Sequence, residues 1–155
     1  MAKLILMVGL PFSGKTTKAK RLEKEYNAIR FTPDEWHIKL FGQDIENTEH
    51  DKRHDKIEKI MVELAFNLLE KGENVILDFG FWATEERIYF KNWASERNID
   101  FAICYCECSE EELKERINKR NLNLENKYFY ITKERYREYE KVFQTAKISH
   151  KDQKL

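Results

Sequence analysis

Gly9-Leu10-Pro11-Phe12-Ser13-Gly14-Lys15-Thr16 is the stretch that decides the fold. Two glycines five positions apart, with a lysine and a hydroxyl residue directly after the second, give the phosphate-loop pattern Gly-x-x-x-x-Gly-Lys-Thr. The pattern carries weight only between a strand and a helix, and that context is present. Five apolar residues, Leu4-Ile5-Leu6-Met7-Val8, precede it, and an amphipathic stretch to about residue 26 follows. Gly9 and Gly14 allow backbone angles that turn successive N–H groups toward a phosphate. The helix beginning near Lys15 adds the positive end of its dipole. Gly9, Pro11, Phe12, Ser13, Gly14 and Thr17 are therefore expected to line the phosphates. Lys15 is expected to reach the β- and γ-phosphates, and the Thr16 hydroxyl to ligate magnesium.

Outward from the loop, short apolar runs alternate with longer amphipathic ones, the pattern of an α/β layered domain. Residues 28–31 read as a short second strand. Thr32-Pro33-Asp34-Glu35 reads as a helix start, with Thr32 as cap, Pro33 in the first turn and Glu35 completing a capping box. Ile57, Ile60, Met61, Leu64 and Leu68 fall at helical spacing, predicting a long helix over residues 51–70 that Gly72 ends.

Residues 74–78 form the next buried strand. Thr84 is placed to cap a helix carrying Ile88, Phe90, Trp93 and Ala94 inward. Residues 100–107 form a further strand, and Ser109 to Glu112 a second capping box. Residues 121–130 read as a mobile loop, Thr132 as the cap of a last helix with Tyr136, Tyr139 and Phe143 on its inner face, and residues 149–155 as a frayed tail.

Composition narrows the class. The 155 residues balance 28 basic against 28 acidic side chains, so no net field draws the chain to nucleic acid or membrane. The length suits a single domain spanning residues 1–155. No apolar run approaches the roughly 20 residues of a membrane span, and the protein is expected in the cytoplasm. Cys104, Cys106 and Cys108 alternate, which in a strand puts all three on one face as reduced core thiols.

Three further positions carry candidate chemistry. Asp78 ends a buried strand at the sheet edge where ligands gather, and is expected to hold magnesium through a water; the plainer reading is an aspartate that closes a strand. Asp34 lies in the first turn of a helix after the second strand. It either orients a substrate hydroxyl toward the γ-phosphate or merely stabilises the helix start. Arg116 and Arg120 share a helix face just before the loop, in a lid of about residues 116–131. There they are expected to neutralise charge on a transferred phosphoryl group, with pairing of Arg116 to Glu112 as the alternative.

Gly9 to Thr17, Asp34, Asn74 to Trp82 and the Arg116/Arg120 pair together resemble the small P-loop kinases of the zeta-toxin, chloramphenicol phosphotransferase and polynucleotide kinase group. The segment Leu77-Asp78-Phe79-Gly80-Phe81-Trp82 is also similar to that of AAA-type ATP-binding proteins. The resemblance implies a P-loop NTPase three-layer α/β/α fold with a parallel sheet in the order 2-3-1-4. It also implies Asp34 as general base, Arg120 with Arg116 as lid arginines, and Arg87 near the acceptor pocket. Polynucleotide kinases carry an arginine three residues after the base, where this chain has His37, which disfavours a nucleic-acid acceptor.

Trp36, His37, Arg53, Phe81, Trp82 and Arg87 are candidates for the acceptor pocket, with core packing as the ordinary alternative for the aromatics. His50 and His54 are spaced as two metal ligands on one helix face, but no further Cys or His stands close in sequence to complete a site. The leading expectation is an ATP- and Mg2+-dependent kinase acting on a hydroxyl of a small molecule. A polynucleotide 5′-hydroxyl kinase and a non-catalytic, ATP-dependent switch module are the competing readings.

Overall fold

The computed structural model of the chain describes residues 1–122 and 128–144. Strand β1 (Lys3–Val8) is buried from Leu4 onward because it has a partner on each side. It pairs in parallel with β3 (Asn74–Gly80) and with β4 (Asp100–Tyr105), while β2 (Ala28–Phe31) pairs in parallel with the far side of β3. The sheet order is β2-β3-β1-β4, as the resemblance implied.

Parallel neighbours require crossovers, and helices supply them. Helix α1 (Lys15–Glu25) leads from β1 to β2; α2 (Pro33–Phe41) and α3 (His50–Glu70) lead to β3; α4 (Thr84–Glu96) leads to β4. Helices α5 (Glu110–Leu122) and α6 (Lys133–Gln144) follow, and no fifth strand follows α5 among the described residues.

The two-residue period of β1 divides the core. Leu4, Leu6 and Val8 pack with Ile57, Met61 and Ala65 of α3 and Phe90 and Ala94 of α4. Ile5 and Met7 face the other way, onto Ala19 and Leu22 of α1. A third cluster lies beyond the strand ends, where Phe12, Ile38, Leu113, Ile117, Phe129, Ile131 and Tyr136 meet.

Several local expectations are corrected. Thr32 precedes α2 but makes no side-chain cap, because its hydroxyl is drawn to Asp78, and Glu35 pairs with Arg30 rather than closing a capping box. Thr84 begins α4 rather than capping it, and its hydroxyl accepts a hydrogen bond from Arg87. The inner stripe of α3 is Ile57, Met61, Ala65 and Leu69, leaving Ile60 and Leu64 exposed. Ile88 is likewise exposed, and Arg87 takes the inward position beside Phe90 and Ala94. Strand β4 stops at Tyr105 because its partner β1 ends at Val8, where the chain turns into the loop. Cys104 and Cys106 consequently pack under α1, whereas Cys108 joins the third cluster.

Ser109 and Thr132 do cap α5 and α6, accepting from the backbone N–H groups of Glu112 and Arg135. The middle of the expected mobile loop and the expected frayed tail lie outside the described residues. No described helix is long and apolar enough to cross a membrane.

Candidate active site

The loop between β1 and α1 is shaped by what it excludes. A Cβ on Gly9 would stand 2.6 Å from the Cys106 carbonyl oxygen and 2.7 Å from Ser13 Oγ, so a side chain there cannot be accommodated without displacement. Gly14 has φ of 85°, in the left-handed region, and is the cap residue of α1. Phe12 adopts φ of 66° although it has a side chain. Its carbonyl accepts a hydrogen bond from Arg116 Nη1 at 2.9 Å. The Phe12 ring is buried against Tyr136 and lies beneath the guanidinium of Arg120. The loop thus reaches into the third cluster through one aromatic side chain.

Beside the loop, the pairing of β3 with β1 shifts between Leu6 and Val8. That irregularity brings Gly80 O to Gly9 N at 3.1 Å and seats Asp78, 2% exposed, against the first turn of α1. Lys15 Nζ donates to Asp78 Oδ1 at 3.0 Å; Thr16 Oγ1 and Thr32 Oγ1 donate to Oδ2 at 2.7 and 3.0 Å. Burial alone would push the Asp78 carboxyl up, but the Lys15 charge and these hydrogen bonds outweigh it and hold Asp78 below its ordinary value. Burial likewise opposes the charge on Lys15, and Asp78, with Asp34 behind it, raises Lys15 above its ordinary value. Both groups are therefore charged at neutral pH.

This donor set fits a nucleotide polyphosphate with a hard cation. Ser13 Oγ is buried and has no hydrogen-bond partner among the described residues. Thr16 and Asp78 present a hydroxyl and a carboxylate oxygen within 2.7 Å of each other, the oxygen chemistry that Mg2+ takes directly or through water.

Opposite the loop, a cavity of about 480 Å³ is lined by the loop, Asp78, Asp34, Arg120, Phe81 and Trp82, among others. Its size is that of a small-ligand site. Asp34 enters from the first turn of α2, its side chain 49% exposed, with His54 Nε2 at 3.8 Å from Oδ1. Arg120 is clamped between the rings of Phe12 and Tyr128, at 4.7 and 4.1 Å. Burial lowers its pKa, while Tyr128 and Asp34 act in the opposite direction. Asp34 thus lies within the electrostatic reach of both Lys15 and Arg120.

Other candidates from the sequence do not join this cavity. Arg116 lies outside it, bound to the Phe12 carbonyl and to Glu112, with Nη1 only 3.4 Å from where a Gly14 Cβ would be. Thr17 is exposed on α1. Trp36 is half-exposed, edge-on to Phe31. His37 is fully buried and Arg53 is bound to Asp44. Arg87, expected near the acceptor, is 1% exposed and donates to the Phe81 carbonyl at 2.8 Å. A buried guanidinium there organises the turn after β3 and is not presented to a ligand.

Thr32 is the residue that sequence reading missed. The register pairs Phe31 with Leu77, so the next residue on each strand, Thr32 and Asp78, must be neighbours. The signal is a hydroxyl one position past a strand, and it becomes visible once the strand order is applied. Tyr128 carries no signal of its own in the sequence, because its contact with Arg120 is made only in the folded chain.

With this geometry in place, likeness to known proteins gains meaning. The sequence matches the family described as AAA domain over residues 4–146. No curated protein sequence matches it. Among solved structures, the fold is similar to a candidate kinase from Chloroflexus aurantiacus, with TM-score 0.76 and 17% identity, covering 99% of this chain and 86% of that one. It is similar also to Kti12 of Chaetomium thermophilum in complex with ADP-AlF3, with TM-score 0.67 and 17% identity over 98% of this chain and 88% of that one. A chain of the Pnkp1/Rnl/Hen1 RNA repair complex gives TM-score 0.72 and 25% identity over 94% of this chain, but this chain covers only 45% of it. The match over nearly the whole sequence makes this chain a member of the AAA domain family, and its sheet order and structural likeness give it a P-loop kinase-like fold.

Proposed function

We propose that the protein is an ATP- and Mg2+-dependent phosphotransferase that moves the γ-phosphate to a hydroxyl of a small molecule. The observation that supports it most is the shared cavity, in which Lys15, Thr16 and Asp78 form one wall and Asp34 and Arg120 the other. Bound Mg-ATP supplies the electrophilic phosphorus and a leaving group already neutralised in part. Lys15 and Thr16, with the loop backbone, hold the β- and γ-phosphates. Asp34 accepts the proton of the acceptor hydroxyl as the new O–P bond forms and the bridging bond to ADP breaks. Arg120, held flat by two rings, meets the charge on the moving group, and Arg116 steadies the loop by its bond to Phe12.

The neutral charge balance and the burial of His37, at the position where polynucleotide kinases carry an arginine, favour a small acceptor over a nucleic-acid end. The likeness to a chain of an RNA repair complex keeps oligonucleotides in the test.

The test offers γ-labelled ATP with a pooled metabolite and antibiotic library and, separately, with 5′-hydroxyl oligonucleotides, to wild type and Asp34→Asn. Label on a small acceptor, lost in the variant, is the expected result. Label on oligonucleotides alone would replace the acceptor class. Slow phosphate release that ignores Asp34, with no acceptor labelled, would sink the transferase reading in favour of a nucleotide-dependent switch.

A further inference from the structure

A histidine cluster with two members in the cavity lining has no part in the proposed transfer. His37 on α2 and His50 and His54 on α3 each offer a ring nitrogen, and the three nitrogens lie within 4.8 Å of one another. The sequence already placed His50 and His54 on one helix face; the third member comes from a different helix, folded against it. The sequence could not supply that ligand, because it is seventeen positions from His54.

The hydrogen bonds around the cluster decide its chemistry. Both Asp44 carboxylate oxygens lie against His37 Nε2, at 2.8 and 2.9 Å. Asp44 Oδ1 also lies 2.6 Å from His50 Nδ1, and Glu58 lies 3.4 Å from His54 Nε2. Arg53 Nη1 donates to Asp44 Oδ2 at 2.9 Å, so a guanidinium faces this carboxylate beside the two imidazoles. His37 and His50 each turn one ring nitrogen to Asp44, and His54 turns Nε2 toward Glu58. What remains is Nδ1 of His37, Nδ1 of His54 and Nε2 of His50. Two of these, on His37 and His54, face each other at 2.9 Å.

Two ring nitrogens at that distance must share a proton or a cation. A carboxylate on the outer nitrogen of each histidine is the arrangement that fixes tautomer and orientation in metal sites. Phe129 stands edge-on to both His37 and His50, and Phe41 edge-on to His37, which gives the cluster an apolar rim.

We infer that His37, His50 and His54 form a three-imidazole site for a divalent transition-metal ion, zinc in the first instance. Ligand nitrogens around tetrahedral zinc stand about 3.3 Å apart, from Zn–N bonds of about 2.0–2.1 Å. The His37–His54 pair must open by a few tenths of an ångström, and His50 must turn inward. Three protein ligands leave a fourth position. His50 and His54 line the cavity, so that position faces it, on the same side as Asp34. The site is distinct from the Thr16–Asp78 pair, whose oxygen ligands suit magnesium. It does not depend on the phosphotransfer reading.

The experiment uses the full chain, stripped by chelator and free of nucleotide, titrated with Zn2+ against a chromophoric chelator. One zinc per chain is expected in wild type and equally in Lys15→Ala, with binding at least about 100-fold weaker in His50→Ala, and about 10- to 100-fold weaker in Asp44→Asn. Co2+ in the wild type should give the intense visible absorption of a four-coordinate ion, a readout that needs no variant to fold. Zinc uptake indifferent to His50→Ala, or cobalt that stays in its pale six-coordinate form, would overturn the site and leave a proton on His54 as the explanation of the 2.9 Å contact.

Discussion

The two walls of the cavity are built by different means. The phosphate wall is backbone: a glycine loop, a helix start and the ends of two paired strands, with Asp78 fixed by three hydrogen bonds. The opposite wall is side chain: Asp34 on one helix turn, Arg120 set against two rings, and His50 and His54, with His37 buried against them. A backbone-built wall is specified by a short contiguous motif and tolerates few alternatives. A side-chain wall is specified by helix packing and can be retuned residue by residue. On the proposed reading, phosphate recognition is thereby fixed while the acceptor side is free to change.

If that contrast holds, substitutions on the first wall should disturb binding and transfer together, and those on the second should separate them. Lys15→Ala is expected to lower kcat/KM by at least about 1000-fold, roughly 4 kcal/mol, and to weaken ATP binding as well. Retained turnover in radiolabel assays would break the assignment of the loop.

Asp34→Asn should cost about 100-fold in kcat, near 2.7 kcal/mol, with ATP affinity by calorimetry unchanged. A parallel loss of ATP binding would mean that the walls are not separable.

Gly9→Ala should destabilise the fold by about 2 kcal/mol, since the Cys106 carbonyl opposing its Cβ is backbone and yields little. The reading is a lower urea midpoint at constant slope.

The smallest effect lies far from the cavity, in the Lys3–Asp100 pair at the start of β1 and β4. The Lys3 hydrogen bond, helped by the Lys3 charge, holds the Asp100 carboxyl below its ordinary value although burial opposes it. A depressed carboxyl contributes stability above its unfolded pKa, and that contribution is lost as pH falls through the folded one. Asp100 is 44% exposed, so screening limits the pair to less than about 1 kcal/mol. Asp100→Asn should be slightly less stable than wild type at neutral pH. The difference in urea midpoint should shrink below about pH 4.

The same contrast explains what the sequence disclosed. The loop, β1, β3 and the helix spans were legible because contiguous residues specify them, and Asp78 was legible as the last charged group of an apolar run. The strand order followed from resemblance rather than from any residue pattern. Inward faces were less certain. On α3 the stripe shifted from Ile60 and Leu64 to Ala65 and Leu69, since apolar residues lie on both sides of that helix and only packing chooses between them. Arg87 was set near the acceptor pocket by resemblance alone; the structure buries it, with its guanidinium donating to the carbonyl of Phe81, whose φ is 44°. Thr32 is the mirror case, a hydroxyl read as a local cap but claimed by a partner forty-six positions away.

The indole of Trp82 gives the molecule a built-in optical reporter. Its Nε1 donates to the Gly9 carbonyl at 3.1 Å, so the ring is tethered to the first residue of the phosphate loop and stands in the cavity wall beside Tyr139. Trp93 is stacked on Phe66 and Trp36 lies against Phe31, both outside the cavity. Of the chain's three tryptophans, Trp82 is therefore the one whose emission should follow each arrival and departure of a nucleotide, so that occupancy can be timed without any added dye.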